Sequence, residues 1–519
     1  MDFRNSPLKS RKDISEYILN LEIQFPVNDW LFNSVHIWPY VRIQLFLFLI
    51  NKIETKCENN DITSSYVHDN TKINFIKKTY IYLSIIYDSI KHILFLAALK
   101  KKKFLFVGAD SHRVDFKGFR YNRYFDTLID TYDLKKSSYF LEYGRVTDKN
   151  KIYNNPNLLI LDRCFSNYLS YLKFKKKFLK NVTPDIFSLN GYDNFIKFIG
   201  SHDLLKDFAL QFNSDRIQEK YHADWNTYFN FFTKTLKYIN PDKVMILCYY
   251  DFQMMALVAA CNSLNIPTIE MQHGPQPETH LSYGSWYNMP DKGYLVMPKY
   301  FWNWDENSKA NIDKWSGGKK KVVSLLYGNP WINYWIKFSS EKHEKNIILY
   351  SLQPSPVNID QLFSHSIINL IKQSSYIWYI RLHPRQMNEY YKIKSLLVQH
   401  NILEKVNINE ACTEPLPVLL SQSLVHVTHF SGSAIESNLL GVYNIFLNEI
   451  ANLYYSEYIL KEEAIVLNPI EENFINLFNE KIESLRFRKN TPNFNQIDLN
   501  DFFSLCLILF IYNNLCLFP

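Results

Sequence analysis

Three short segments of the 519-residue chain bring together groups able to bind phosphate or move a proton: Glu270-Met271-Gln272-His273-Gly274-Pro275, Arg381-Leu382-His383-Pro384-Arg385 and Thr428-His429-Phe430-Ser431-Gly432-Ser433-Ala434-Ile435-Glu436. In the first, a neutral imidazole at His273 can take a proton from a hydroxyl, and Gly274 lets the backbone approach a ligand closely. Glu270 and Glu278 are rival bases, and a histidine held by backbone carbonyls for structural reasons fits the residue types equally well. In the second, His383 and Arg385 flank a proline that stiffens the chain, so their cationic or hydrogen-bonding groups can neutralise a departing phosphate. A surface turn is the plainer alternative. In the third, Ser431, Gly432 and Ser433 lead into a helix whose free N–H groups can hold phosphate, and Glu436, one turn further, is placed to accept from ribose hydroxyls. Capping of that helix by Ser431 or Ser433 alone is the competing reading. Gln353, followed by Pro354 and Ser355, supplies a fourth polar loop for the donor.

Earlier in the chain, Asp110-Ser111-His112-Arg113 and Arg120-Tyr121-Asn122-Arg123 could grip an anionic acceptor, with Asp110, His112, Arg113, Arg120 and Arg123 as the contacts. The aromatic runs Tyr283-Gly284-Ser285-Trp286-Tyr287-Asn288-Met289-Pro290 and Tyr300-Phe301-Trp302-Asn303-Trp304 could stack on sugar or base rings, or fill the space under a long loop. No Asp-x-Asp occurs in the chain, so a nucleotide diphosphate would be met by His383, Arg385 and helix N-terminal amides; neither a metal nor a cofactor is expected.

Segments this far apart meet only if a scaffold gathers them. Apolar runs at 104–108, 139–141, 158–161, 244–248 and 268–271 read as buried parallel strands separated by helical patterns such as 251–264, and the rhythm returns at 347–351, 376–382, 424–427 and 444–447. The expectation is an α/β chain with two Rossmann-like domains facing a cleft, with ligands beyond the carboxyl ends of the strands, where all of these loops fall. The division expected is a helical N-terminal extension over 1–103, an acceptor domain over 104–335, a nucleotide-donor domain over 336–490 and a C-terminal helix over 491–519 packing back on the core. The hinge is placed between Trp331 and Lys345, and a loop over 54–70.

At 47% apolar and 16% aromatic residues the chain can bury a large core. Its net charge of +7 is too mild for a dedicated nucleic-acid binder and suits anionic small molecules or an anionic membrane surface. The seven scattered cysteines lack a C-x-x-C pair, which argues for reduced thiols and against a disulfide frame or zinc site. Met1-Asp2-Phe3-Arg4-Asn5 lacks the layout of a secretory leader, so a cytoplasmic location is expected. The stretch 81–99, interrupted by Asp88, Lys91 and His92 and followed by Lys100, Lys101, Lys102 and Lys103, suits an amphipathic helix at an anionic interface or a helix packed on its own domain.

Taken in order, the loops resemble those of the two-Rossmann-domain (GT-B) glycosyltransferases of bacterial capsule, O-antigen and teichoic-acid assembly. Gln272-His273-Gly274 looks like the His-Gly motif that closes their first lobe, His383-Pro384 like the His-Pro motif of the second, and Ser431-Gly432-Ser433 like their Ser-rich loop. Sialyl- and Kdo-transferases share the last two elements, and Gln353-Pro354 is similar to a Gln-Pro-like loop of some Kdo-transferases; the acidic-acidic-Gly base motif of the cytidine-sugar families is missing. The resemblance implies donor phosphate or nucleotide at His383 and the Ser431 loop, ribose at Glu436, and the acceptor or departing proton at His273. It further implies inverting, metal-independent transfer from a CMP-, CDP- or UDP-linked sugar to a lipid-linked oligosaccharide on the inner face of the bacterial plasma membrane. A polyol-phosphate transferase, a nucleotide-sugar epimerase and a non-catalytic polysaccharide assembly factor are the alternatives.

Overall fold

Strands covered by helices on both faces bury every side chain, so they read as unbroken apolar runs rather than as alternating patterns. The computed structural model, which describes residues 8–54, 75–144, 146, 148–153, 155–176, 185–317, 322–336, 346–354, 356–486, 488, 492, 499 and 502–503, turns each such run into a parallel strand. The first sheet comprises β1 (Phe104–Ala109), β2 (Ser138–Tyr143), β3 (Leu158–Ile160), β4 (Lys243–Ile246), β5 (Thr268–Met271), β6 (Tyr300–Asn303) and β7 (Val323–Leu326) in the order β7-β6-β5-β4-β1-β2-β3, all parallel. The second comprises β8 (Ile347–Ser351), β9 (Ile377–Arg381), β10 (Val406–Asn407), β11 (Ser423–Thr428), β12 (Tyr443–Phe446) and β13 (Ala464–Val466) in the order β10-β9-β8-β11-β12-β13, also all parallel. Each has the reversal of strand order of a doubly wound nucleotide-binding sheet, with β1 beside β4 and β8 beside β11 at the switch points. The chain is therefore two Rossmann-like α/β lobes.

Several expectations change on contact with the packing. The run Tyr300-Phe301-Trp302-Asn303 is strand β6, with all four side chains buried in the sheet, so it offers no face to a ligand; bulky aromatics suit a pleated surface covered on both sides. In the stretch 283–290, Tyr283, Trp286 and Met289 are buried, while Tyr287 and Asn288 are exposed. Arg42, on the helix Trp38–Glu54, lies 3.6 Å from the Trp286 ring centroid and 3.4 Å from Glu22 Oε1, while Tyr287 N donates to Glu22 Oε2 at 2.7 Å. The N-terminal extension is neither wholly helical nor an appendage. Its Trp30–Phe32 is a strand pairing antiparallel with Val35–His36 and with Phe187–Leu189 from inside the first lobe.

After β1 the chain makes a hairpin, Arg113–Phe116 against Phe119–Asn122, whose two-residue turn Lys117-Gly118 has φ of 50° and 79°. Both values lie in the left-handed region that matches the twist of paired strands. Phe116 at its tip packs edge-on against Trp331 of the helix Pro330–Ile336, which opens the crossing to the second lobe. Of the expected hinge, 337–345 lie outside the described residues, as do 55–70 of the expected loop, Ser355, and all of the expected C-terminal helix except Pro492, Leu499, Phe502 and Phe503. Those two phenylalanines return to the first lobe, Phe503 against Phe104 and Tyr132 and Phe502 against Trp302 and Tyr327.

Candidate functional site

The order of the first sheet sets the residues that follow β1, β4 and β5 side by side, and they are His112, Cys248 and His273. Cys248 has φ of 58°, a left-handed conformation seldom held by a residue with a side chain, and it sits between β4 and the buried helix Phe252–Ser263. Its Sγ is 3.1 Å from His273 Nε2 and 3.7 Å from His112 Nε2. His273 Nδ1 lies 3.3 Å from the Met271 carbonyl, so Nδ1 carries the hydrogen and Nε2 presents its lone pair to the Cys248 thiol and to the Tyr250 hydroxyl at 3.4 Å. Burial lowers the pKa of His273 against the opposing pull of Glu270, which keeps the imidazole neutral at neutral pH.

The two rival bases are otherwise engaged. Glu270 is fully buried, accepts from Tyr249 N at 3.1 Å and from the Tyr283 hydroxyl at 2.9 Å, and lies 3.8 Å from His273 Nδ1; burial pushes its pKa up to about 8. It lies beside the imidazole with no oxygen open to the surface. Glu278 pairs with Lys314 at 3.0 Å and accepts from Ser285 Oγ at 3.2 Å on the surface.

The residues proposed for the acceptor separate into three groups. Arg113 is enclosed, bonded to Asp126 at 2.9 Å and Glu142 at 2.7 Å with all three side chains wholly buried, so its guanidinium braces the lobe and cannot meet an acceptor. A cation followed by an apolar strand looks the same in sequence whether it faces solvent or two carboxylates folded in from elsewhere. Arg120 pairs with Asp110 at 3.1 Å and with Asp115 at 3.7 Å. Arg123 alone crosses to the second lobe, its Nη1 3.7 Å from Glu436 Oε1.

In the second lobe Gln353 Oε1 accepts from Phe430 N at 2.8 Å and thereby braces the Ser431 loop from the neighbouring strand end. The amides that were to cradle phosphate are turned inward: Ala434 N donates to Ser431 O and Ile435 N to Gly432 O, both at 3.1 Å, and Ser433 N approaches Ser431 Oγ at 3.4 Å. The N–H groups of Ser433, Ala434 and Ile435 are thus engaged within the loop. His383 Nδ1 accepts from Arg385 N at 3.1 Å, the plain turn, which leaves the hydrogen on Nε2; burial, with Arg385 and Arg123 close by, pulls its pKa down to about 4. The Arg385 side chain is exposed. Glu436 is buried and its Oε1 accepts no hydrogen bond among the described residues; burial raises its pKa, while Arg123, Arg381 and a hydrogen bond from the Asn329 side chain pull it down.

The two motif loops touch. A methyl group on Gly432 would lie 3.0 Å from Pro275 Cδ and 4.0 Å from Gly274 Cα, so the Ser-Gly-Ser loop of one lobe abuts the His-Gly-Pro loop of the other. Gly432→Val should overpack this contact at a cost of about 1–3 kcal/mol; a thermal midpoint equal to that of the parent chain would show that the contact does not matter. Tyr124 links the parts, donating to the His273 carbonyl at 3.2 Å and accepting from Arg123 Nη2 at 2.7 Å. A cavity of about 300 Å³ lies elsewhere, lined by Leu161, Asp162, Phe165, Tyr228 and Gln253 among others, and offers no cation to an anionic ligand. Among the described residues no three His, Cys, Asp or Glu side chains converge to hold a metal ion.

Neither a protein-family model nor a curated protein matches the chain. Solved structures resemble it in outline. A UDP-GlcNAc 2-epimerase from Methanocaldococcus jannaschii is 13% identical with a TM-score of 0.42, over 79% of this chain and 99% of that one. The UDP-GlcNAc 2-epimerase from Neisseria meningitidis bound to UDP-GlcNAc is 14% identical with a TM-score of 0.43, over 80% and 99%. A ugt transferase from Siraitia grosvenorii in complex with UDP is 9% identical with a TM-score of 0.37, over 79% and 94%. Likeness this low carries no argument, and the architecture rests on the two sheets themselves.

Cys248, Tyr124 and Tyr250 escape a reading of sequence motifs. His429, two residues before Ser431, is buried and has neither ring nitrogen hydrogen-bonded among the described residues.

Proposed function

We propose that the chain is an enzyme acting on a nucleotide-activated sugar and, within that class, an inverting glycosyltransferase that extends a lipid-linked surface polysaccharide at the cytoplasmic face of the membrane. The observation that carries this reading is Glu436, a buried carboxylate with an unbonded oxygen, set opposite Arg123 where the two motif loops meet. A group desolvated in this way is satisfied when hydroxyls arrive, and ribose hydroxyls beside a diphosphate suit a carboxylate next to an arginine.

On this reading the acceptor hydroxyl donates to His273 Nε2 in place of Tyr250. Its oxygen forms the new bond to the anomeric carbon as the bond to the nucleotide oxygen breaks, and a single displacement inverts the centre. The proton passes to His273, whose imidazolium is favoured by the Met271 carbonyl that faces Nδ1. The leaving phosphate is met by Arg123, by the Nε2 hydrogen of His383 and by the hydroxyls of Ser431 and Ser433, without need of a cation.

Thermal melts with CMP, CDP and UDP provide the test. One of the three should raise the midpoint at saturation, by about 2.7 kcal/mol of stability at one hundred times Kd, and Glu436→Gln should reduce that rise. No shift with any of them removes the reading. An NMR assay of the stabilising nucleotide sugar, with EDTA present and no acceptor, separates the class members: conversion to its epimer without an acceptor would replace transfer by epimerisation.

A further inference from the structure

The helix Phe75–Ala98 buries Ser89 and His92 on one side and shows large apolar side chains on the other. Through Ser89 and His92 it packs on the helix Leu161–Lys176, His92 lying 5.0 Å from the Tyr168 ring and 5.1 Å from the Tyr171 ring. The opposite face carries Tyr80, Leu83, Tyr87, Ile90 and Leu94, spaced three and four apart and so aligned in one stripe. Tyr80 is 75% and Leu94 62% exposed. Over Thr79–Ala98 the mean hydropathy is 1.4, yet only 17% of the segment is buried. A contiguous apolar face of this kind ordinarily lies against a core or a bilayer, and here nothing in the chain's described residues covers it.

Charge at one end of the stripe says what covers the rest. Lys100, Lys101 and Lys103 follow the helix and are exposed, and Lys173 and Lys176 are exposed at the end of its packing partner. Lys234 sits 5.6 Å above both Tyr168 and Tyr171, its pKa lowered by burial and then by nearby Lys175. We infer that this face docks on an anionic phospholipid bilayer. The helix lies in the plane of the interface, its aliphatic side chains below the headgroups, its tyrosines at headgroup level and the lysines against lipid phosphates. The helix is long and apolar enough to span, but its contact with Leu161–Lys176 holds it alongside the lobe. The inference stands apart from the transferase reading, since it uses no residue of the seam between the lobes.

Co-sedimentation of the full chain, without nucleotide, with vesicles of phosphatidylcholine alone or mixed equally with phosphatidylglycerol, tests it. The chain should pellet with the mixed vesicles and stay largely in solution with phosphatidylcholine. Alanine at Lys100, Lys101 and Lys103 should lower partition by about fivefold for each lysine removed. The exposed triple change Leu83→Ser, Ile90→Ser, Leu94→Ser should abolish binding while the thermal midpoint is kept. Absence of binding to mixed vesicles overturns the inference, as does a triple variant that still pellets like the parent. Self-association that is lost in the serine variant, with no vesicle binding, would show instead that a second copy of the chain covers the stripe.

Discussion

Replacing His273 by alanine lowers the turnover of sugar transfer by about 10²–10⁴-fold, the usual contribution of a positioned general base, and leaves the affinity for nucleotide largely as it was. The split follows from the geometry. His273 Nε2 faces Cys248 and Tyr250 in the first lobe, whereas the groups assigned to the nucleotide belong to the second lobe and to Arg123. Because burial lowers the pKa of His273, the working form is the neutral one. The parent kcat/KM should therefore be flat across neutral pH and fall only in acid, as the imidazole takes up its proton. Stopped assays of kcat and KM from acid to neutral pH, together with nucleotide titration of the variant, check both halves. An alanine variant that turns over like the parent would remove His273 from the chemistry.

The largest effect on stability is expected at Arg113. Arg113→Met should cost about 3–5 kcal/mol, because removing one partner of a buried ion pair leaves the other charged and desolvated; here it strands two carboxylates, Asp126 and Glu142. The pH dependence has a definite sign. Burial already raises both carboxyls, Asp126 to about 7, and losing the guanidinium that pulls them down raises them further, so the folded variant binds more protons than the parent. The deficit against the parent should shrink as pH falls from neutral toward the ordinary carboxylate range. Urea unfolding of both proteins at neutral pH and at about pH 5 measures this; a deficit that is small at neutral pH, or that grows on acidification, would show that the triad does not brace the lobe.

These two residues also mark where sequence is informative. The imidazole after β5 was legible because a short apolar strand fixes the place of whatever follows it, and parallel order then gathers strand ends into one site. Gly432 was legible for the same reason, although its role proved to be close approach to Pro275 rather than exposure of amides to a ligand. Arg113 was not, since the carboxylates that enclose it stand 13 and 29 residues away and only the fold brings them in. Cys248 was read as the last residue of a strand; nothing in its type announces a left-handed backbone, which glycine or asparagine ordinarily signals. Among the strands, β10 and β13 are two- and three-residue edge elements too short to show a period, and β6 was obscured by its rings, which suit a sheet interior and a ligand platform alike.

The return of Phe502 and Phe503 to the first lobe has a mechanical consequence. Leu485 ends a helix packed in the second lobe, so the polypeptide passes between the halves twice, once through Pro330–Ile336 and again before Phe502. Two covalent connections limit how far the lobes can move apart, and any such separation would pull Arg123 away from Glu436.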